Sequence, residues 1–577
     1  MKKKLIITVG VVAIILLAAV LFFYIKGYIL GSMEKADWQM QTLNVNTVSL
    51  DGKKFIGVSN DYFLESVNGE DWNSTKTGST EMLNSVCSNG KVVVSVGRRG
   101  EIRVLDKGKN TWTKAISGVS EDMNKVIWSG NTFVAVGTRA AVITSVDGIN
   151  WVTRPAKDSA FEFLGVVWNG SNFVAVGRMG TIFLSADGID WAKQNSGTVE
   201  DITSIGWDGS KLLAVGYNGI VLWSTDGRKW DNQYIGGGTM LRSIACSPGK
   251  YIAVGNNGVI LSSTDMANWS EIKSGTGNRL KTIVYDGKKY IVAGSGVILK
   301  SNDGLTFNIV KSGSSIEDEL TGILYSKDLY VAPADNGKIF TSTDRKAWTE
   351  NKITANKLFS AAWNQKRYVV VGDNGFAAIT DDGKVWNKVD TKTSEALLKI
   401  IWSDNKFVAV GNGGVVLTSP DGESWQKQTT GVTALIRGIA WNGKKYVAVG
   451  YNDSILTSDD AVTWKKQDTK SPNSFYCGTV WDGGKFVVVG IDGVVMTSPD
   501  GATWTQQKSS VKQHLIDVAW NGKKLIAVGV GGTIISSIDG VEWKAEKSGT
   551  TSLLNGITWN GTEFIGVGGM GTILTRE

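Results

Sequence analysis

From residue 38 onward the chain repeats one order of apolar and polar positions about every 39 residues: Leu-x-x-Ile-x-Trp-Asn-Gly-Lys-x-Phe-Val-Ala-Val-Gly-x-x-Gly-x-Ile-x-x-Ser-x-Asp-Gly-x-x-Trp. In one full unit this pattern predicts strands over 435–441, 445–449, 454–458 and from Trp464 onward. Runs such as Val447-Ala-Val-Gly450 are β-branched and end on glycine, and Asn442-Gly443 upstream is a strong hairpin signal. A helical reading fails, because the unit is dense in glycine and β-branched residues and holds no sustained 3.6-residue apolar period.

Four short strands in about 40 residues is the signature of a propeller blade, which buries its faces only against neighbouring blades. Fourteen closing aromatics, from Trp38 to Trp543 with Phe307 in place of one tryptophan, count out about fourteen blades. The expected fold class is therefore all-β, as tandem β-propellers of four-stranded blades. Seven and seven is the natural division, since single propellers run from about four to eight blades. The least regular units lie mid-chain, at Ala293-Gly-Ser-Gly296, Phe307 and Pro333, which places the first propeller at 38–303 and the second at 304–577. The preferred closure has the Trp38 strand complete the first ring and Phe307 open the second. The alternative has the Trp38 strand cross over and close the second ring.

Ahead of the repeats, residues 5–25 carry no charge and match the ~20 residues that a helix needs to cross a membrane. Lys2, Lys3 and Lys4 precede this run. The positive-inside rule then gives a cytoplasmic tip at 1–4, an uncleaved transmembrane signal-anchor at 5–25, a linker at 26–37 and propellers outside the cell. The net charge of +7 admits an anionic partner, although many lysines sit in Gly-Lys-Lys turns whose exposure already accounts for them.

The Ser-x-Asp-Gly-x-x-Trp segment, as at 145–151, 185–191 and 419–425, suits a turn in which Asp and Ser accept backbone amides and glycine permits positive φ. Here the chain resembles the Asp-box, or bacterial neuraminidase repeat, family of propellers, as a variant one residue shorter between Asp and Trp. Asn68, Asp106 and Asp265 depart further from that pattern. It is also similar to photosystem II assembly factor-like propellers, which are non-enzymatic binding proteins, and to short-bladed WD40/YVTN-type repeats. It lacks the Gly-His and the regularly placed Trp-Asp of WD40 units proper. The resemblance implies a propeller fold and leaves function open.

Catalysis finds little support in the sequence. Spacings between closing aromatics after Trp72 run only from 38 to 41 residues, so no blade carries a long functional insertion. The Arg-Ile-Pro signature of sialidases is absent. Xyloglucanases with two seven-bladed Asp-box propellers cleave glycan in the inter-ring cleft with paired acids. Asp373 and Asp492 occupy comparable turns here, where solvated acidic residues are the ordinary finding. His514 is the only histidine, and Cys87, Cys246 and Cys477 are too scattered for a disulfide framework or a zinc site. No catalytic residue, metal ligand or cofactor is expected. All tryptophans but Trp223 fall on two repeat positions, which reads as packing rather than sugar stacking.

The informative variation lies in the turn after each Val-Gly, which the blades of a ring present on one face. Arg98, Arg99, Arg139 and Arg178 stand there in the first half, followed by Tyr217. Such an arc suits bidentate contacts to carboxylates or phosphates. Ordinary solvated turn residues would look the same. The preferred reading is a cell-surface binding or scaffold module for protein or cell-envelope polysaccharide, with no nucleic-acid partner. The alternatives are a glycoside hydrolase or sialidase-like enzyme working in the inter-propeller cleft, and an assembly or sensor factor for membrane proteins.

Overall fold

The Phe-Val-Ala-Val-Gly run is apolar at successive positions, and such a strand is stable only with both faces covered. The structure places it second in every sheet, where strands such as Phe133–Gly137, Phe173–Gly177 and Tyr446–Gly450 are buried throughout. The fourth strands, such as Lys465–Gln467 and Thr505–Gln507, are largely exposed on the outside. Glycine ends the second strand because the chain passes close by: a Cβ at Gly137 would lie 2.1 Å from the Asp122 carbonyl oxygen.

The computed structural model describes residues 39–40, 43–154, 161–236, 238–467 and 474–577. The expected membrane helix at 5–25, the linker at 26–37 and Trp38 lie outside them. Among the described residues no helix is long and apolar enough to cross a membrane. They form fourteen four-stranded antiparallel sheets, numbered 1 to 14 below, whose first strands begin at Thr47, Leu83, Met123, Phe163, Ile202, Leu241, Leu280, Leu324, Leu358, Leu397, Ile436, Tyr476, Leu515 and Leu554. Successive sheets share apolar cores, as where Val94 and Val96 of sheet 2 meet Phe133 and Ala135 of sheet 3. Two contacts leave that sequence. Phe55 and Leu64 of sheet 1 pack with Ile291 and Ile298 of sheet 7. Tyr330 and Phe340 of sheet 8 pack with Ile565 and Ile573 of sheet 14.

The preferred closure is corrected. Gln39–Met40 pairs with Ile573–Arg576 of sheet 14, with Gln39 opposite Thr575 and Met40 opposite Leu574. The strand after Phe307, Asn308–Ser312, pairs with Val297–Ser301 as the fourth strand of sheet 7 and opens nothing. The boundary expected at 303/304 would therefore cut through sheet 7. The reason lies in strand supply. Sheet 1 owns four strands, Thr47–Asp51, Lys54–Ser59, Tyr62–Ser66 and Asn73–Lys76, and sheet 7 likewise, so only sheet 14 has a vacant edge.

The Asp-Gly turns hold the third strand to the fourth. In sheet 3 the Asp147 carboxylate accepts the amides of Ile149 and Asn150, both at 2.8 Å, while Ser145 Oγ accepts the Gly148 amide at 2.8 Å. The Trp151 indole then donates to the Gly148 carbonyl at 2.8 Å. The units that depart from the repeat keep this geometry. Asn68 accepts the Glu70 and Asp71 amides, and Met266 takes the glycine position at φ 68° with Trp269 donating to its carbonyl.

These amides stabilise the ionised carboxylates. The Thr503 and Ala502 amides with the Ser498 hydroxyl hold Asp500 at about 2, and those of Thr306 and Leu305 do the same for Asp303. A carboxyl depressed in the folded state contributes stability above its unfolded value, about 3.9, and loses it as pH falls through the folded value. The melting temperature is therefore expected to stay level from about pH 7 to 5 and to fall steadily from about pH 4 to 2. Thermal melts followed by circular dichroism check this, and a level melting temperature down to pH 2 would contradict it.

Candidate functional site: one rim of the sheets

In sheets 2 to 14 the turn between the second and third strands is fixed by a backbone bond to the segment leading into its own first strand. Arg98 N donates to Met82 O, Thr138 N to Asp122 O, Arg178 N to Glu162 O and Tyr217 N to Asp201 O, at 2.9, 2.9, 3.0 and 2.9 Å. The shared geometry sets Arg98 and Arg99 of sheet 2, Arg139 of sheet 3, Arg178 of sheet 4 and Tyr217 of sheet 5 along one rim. The four arginines are exposed and Tyr217 is half-buried.

The same geometry interleaves carboxylates among them. Arg99 Nη1 lies 3.3 Å from Glu81 Oε1 and Arg178 Nε lies 2.9 Å from Glu162 Oε2. Asp122 Oδ1 accepts the Arg99 amide and Asp201 Oδ1 the Met179 amide, both at 2.9 Å. The rim is thus an alternation of both signs rather than a purely positive arc. The signal was available in the sequence: Glu81, Asp122, Glu162 and Asp201 each stand one or two residues before a first strand.

Two of the arginines occupy positions that favour other residues. Arg99 and Arg139 sit at φ 51° and 52°, in the left-handed region. Equivalent positions hold Asn218, Asn257, Asn374, Asn452, Asp492 or Gly413, and long side chains again at Met179 and Met570. A long side chain there costs about 1 kcal/mol relative to glycine. The turn itself does not call for arginine.

Farther along the rim, the first seven sheets meet the last seven. Thr551 Oγ1 donates to Asp61 Oδ2 at 3.3 Å, and Asn44 Nδ2 donates to the Ile316 carbonyl at 2.9 Å. A cavity of about 350 Å³ opens between the two sets, lined among others by Asn278, Arg279, Glu317, Asp318, Lys338, Trp348 and Glu350. Its carboxylates are engaged. Glu317 meets Lys281 at 2.7 Å and Arg279 at 3.4 Å, while Lys338 takes Asp318 at 3.1 Å and Glu350 at 3.0 Å. Burial alone would raise Glu317, but the Lys281 ammonium, the Ser295 hydroxyl and Arg279 outweigh it and hold the carboxyl below its ordinary value. Asp61 goes the other way: burial raises it, with partial relief from Lys76. It borders a space of only about 120 Å³, small for a sugar ring.

Asp373 and Asp492 stand in the turns of sheets 9 and 12. His514 Nδ1 accepts the Asp492 amide at 3.0 Å, so the lone histidine does for this turn what Asp122 does for the Arg99 turn. Burial pushes all three cysteine thiols up, and Trp223 packs against the core shared by sheets 5 and 6. Among the described residues no group of His, Cys, Asp and Glu is placed to hold a metal ion.

Four-stranded antiparallel sheets packed face to face, their first strands lining central cavities, define a β-propeller protein. The DUF6242 β-propeller domain family matches residues 251–359 and again 351–482. Comparison with curated proteins finds no match. Among solved structures, the chain is similar to the GH74 enzyme of Niastella koreensis at 15% identity and TM-score 0.70, over 93% of this chain and 99% of that one. It is also similar to PorZ, an essential surface component of the type-IX secretion system of Porphyromonas gingivalis, at 10% identity and TM-score 0.56, over 93% and 86% of the two chains. A likeness to YCF48 bound to D1 peptide has 15% identity and TM-score 0.40, over 45% of this chain and 92% of that one.

Proposed function

We propose that this chain is a binding or scaffold protein held at the outer face of the cell membrane by residues 5–25, presenting two seven-bladed, Asp-box-type rings to a protein or cell-envelope glycan. Sheets 1–7 make up one ring and sheets 8–14 the other, a division supported by the contacts of sheet 1 with sheet 7 and of sheet 8 with sheet 14. The observation that carries the binding role is the placement of Arg99 and Arg139. Most sister turns use Asn, Asp or Gly at this left-handed position, with Met179 and Met570 the exceptions, so two arginines there carry a conformational cost that a role outside the turn accounts for. The partner face is the mixed-charge rim of sheets 2 to 5, with Arg98, Arg178 and Tyr217 beside those two.

A glycan-cleaving role is the second reading, favoured by the fold shared with the GH74 enzyme and by the cavity between the two sets of sheets. Against it, an acid catalyst needs a carboxyl kept protonated near neutral pH, and the cavity's carboxylates are tied to lysine and arginine. The protein is read as a non-enzyme on that ground. PorZ, a secretion-system surface component of the same architecture, makes an assembly role outside the membrane the third reading.

The test is capture from envelope extracts by the full chain, comparing wild type with a variant carrying Arg98→Gln, Arg99→Asn, Arg139→Asn and Arg178→Gln. The asparagines suit the left-handed turns, so the variant should melt at or above the wild-type temperature while losing its partner. Capture of the same partner in undiminished amount would return these arginines to ordinary solvated turns.

A further inference from the structure

The central cavity of sheets 1–7, about 180 Å³, is lined by residues at the start of the seven first strands. Most of its polar side chains are committed to the neighbouring sheet. Asn46 Nδ2 donates to Leu83 O at 2.8 Å, Asn84 Nδ2 to Met123 O at 3.0 Å, Asn124 Nδ2 to Phe163 O at 2.8 Å and Thr203 Oγ1 to Leu241 O at 2.7 Å. Three cations remain. Lys281 reaches Glu317 at 2.7 Å and Asn46 Oδ1 at 3.1 Å, and Arg242 Nε donates to Asn256 Oδ1 at 2.6 Å. Lys125 has no acceptor or carboxylate partner among the described residues. Glu317 is the one carboxylate among these contacts, and Arg279 shares it.

The second set of sheets shows what such a lysine meets when it is matched. Lys399 holds in sheet 10 the place that Lys125 holds in sheet 3, each the third residue of its first strand and each in the third sheet of its set. Three sheets on, Asp517 in sheet 13 reaches across the cavity to Lys399 at 3.3 Å and accepts the Ile557 amide at 3.2 Å. The counterpart of Asp517 in the first set is Ser243, whose hydroxyl accepts the Ile283 amide, also at 3.2 Å. The stitch between sheets is kept and the negative charge is missing. Burial pushes the Lys125 ammonium below its ordinary value, as expected of a cation without a counter-charge.

The geometry points to a binding site for a small oxyanion, a phosphate, sulfate or carboxylate group, in the central cavity of sheets 1–7 between Lys125, Arg242 and Ser243. The anion takes the place that the Asp517 carboxylate takes in the second set. A tetrahedral oxyanion accepts from the Lys125 ammonium on one side and from the free donors of the Arg242 guanidinium and the Ser243 hydroxyl on the other.

Isothermal titration of the full chain with inorganic phosphate, and separately with acetate, tests this against two variants. Wild type is expected to bind one phosphate per chain. Lys125→Gln should weaken that binding at least tenfold. Ser243→Asp, which supplies the missing carboxylate in place and keeps the Ile283 bond, should weaken it as strongly while raising the melting temperature above wild type. Competition by acetate identifies a site for carboxylate groups in general, and failure of acetate to compete identifies a site for tetrahedral dianions; both support the proposal. Saturable binding of neither ion by wild type would overturn it, and so would phosphate affinity unchanged in a folded Ser243→Asp protein.

Discussion

A chain beginning at residue 47 should melt well below one beginning at residue 36, and should self-associate where the longer chain does not. The segment removed includes Gln39–Met40, which fills the open edge of sheet 14, and Leu43 and Val45, which are buried in the core between sheets 1 and 7. It also carries backbone bonds from Leu43 N to Ser314 O and from Val45 N to Gly294 O, both at 3.1 Å. Two buried aliphatic side chains at ~2 kcal/mol each and a few hydrogen bonds at ~1 kcal/mol each put the loss on the order of 5 kcal/mol. The exposed edge of Ile573–Arg576 is a template for pairing with another chain. Thermal melts and size-exclusion chromatography of the two chains decide the matter. Equal melting temperatures and equal elution would show that the strand contributes nothing.

Asp517→Ala is expected to destabilise the protein by about 2 kcal/mol, because it leaves the Ile557 amide without its acceptor and Lys399 facing the cavity without a counter-charge. Asp517→Asn keeps an acceptor for the amide and should cost roughly half as much. Lys399→Met combined with Asp517→Ser removes both charges while retaining a hydroxyl for Ile557, and should return most of the loss. Urea unfolding of the four proteins measures this. A double variant no more stable than Asp517→Ala would show that the ion pair is not the source of the effect.

The repeat made most of this architecture legible. A unit that reads apolar through Phe-Val-Ala-Val and closes on Trp fixes strand order within a sheet, and the observed strand Tyr446–Gly450 overlaps the expected 445–449. Topology between sheets was less legible, because the irregular units around Phe307 and Pro333 suggested a break where sheet 7 runs on to Ser312. The strand count leaves the last sheet without a fourth strand, and the observed pairing of Gln39–Met40 with that sheet is the crossing-over alternative rather than the preferred closure. For the rim, sequence found Arg98, Arg99, Arg139, Arg178 and Tyr217 and their common face. It missed Glu81 and Glu162, because residues far along the repeat become neighbours only when the segment before a first strand folds back onto the turn. The pairing of Lys399 with Asp517 was illegible for the same reason: nothing local distinguishes a lysine that has a partner three sheets away from Lys125, which has none among the described residues.

Pairing Gln39–Met40 with Ile573–Arg576 joins segments more than five hundred residues apart and so sets an order in time. As the chain is made, thirteen sheets can complete from strands already available, whereas sheet 14 waits for Ile573–Arg576 and then takes its fourth strand from Gln39–Met40. Until then that strand is unclaimed, and a neighbouring molecule at the same stage offers it an equivalent edge. Slow synthesis or crowding should therefore yield dimers that exchange this strand. The junction also bears load: a pull applied at the N-terminus reaches sheet 14 first, peeling a two-residue pairing before it strains the sheets that follow in sequence.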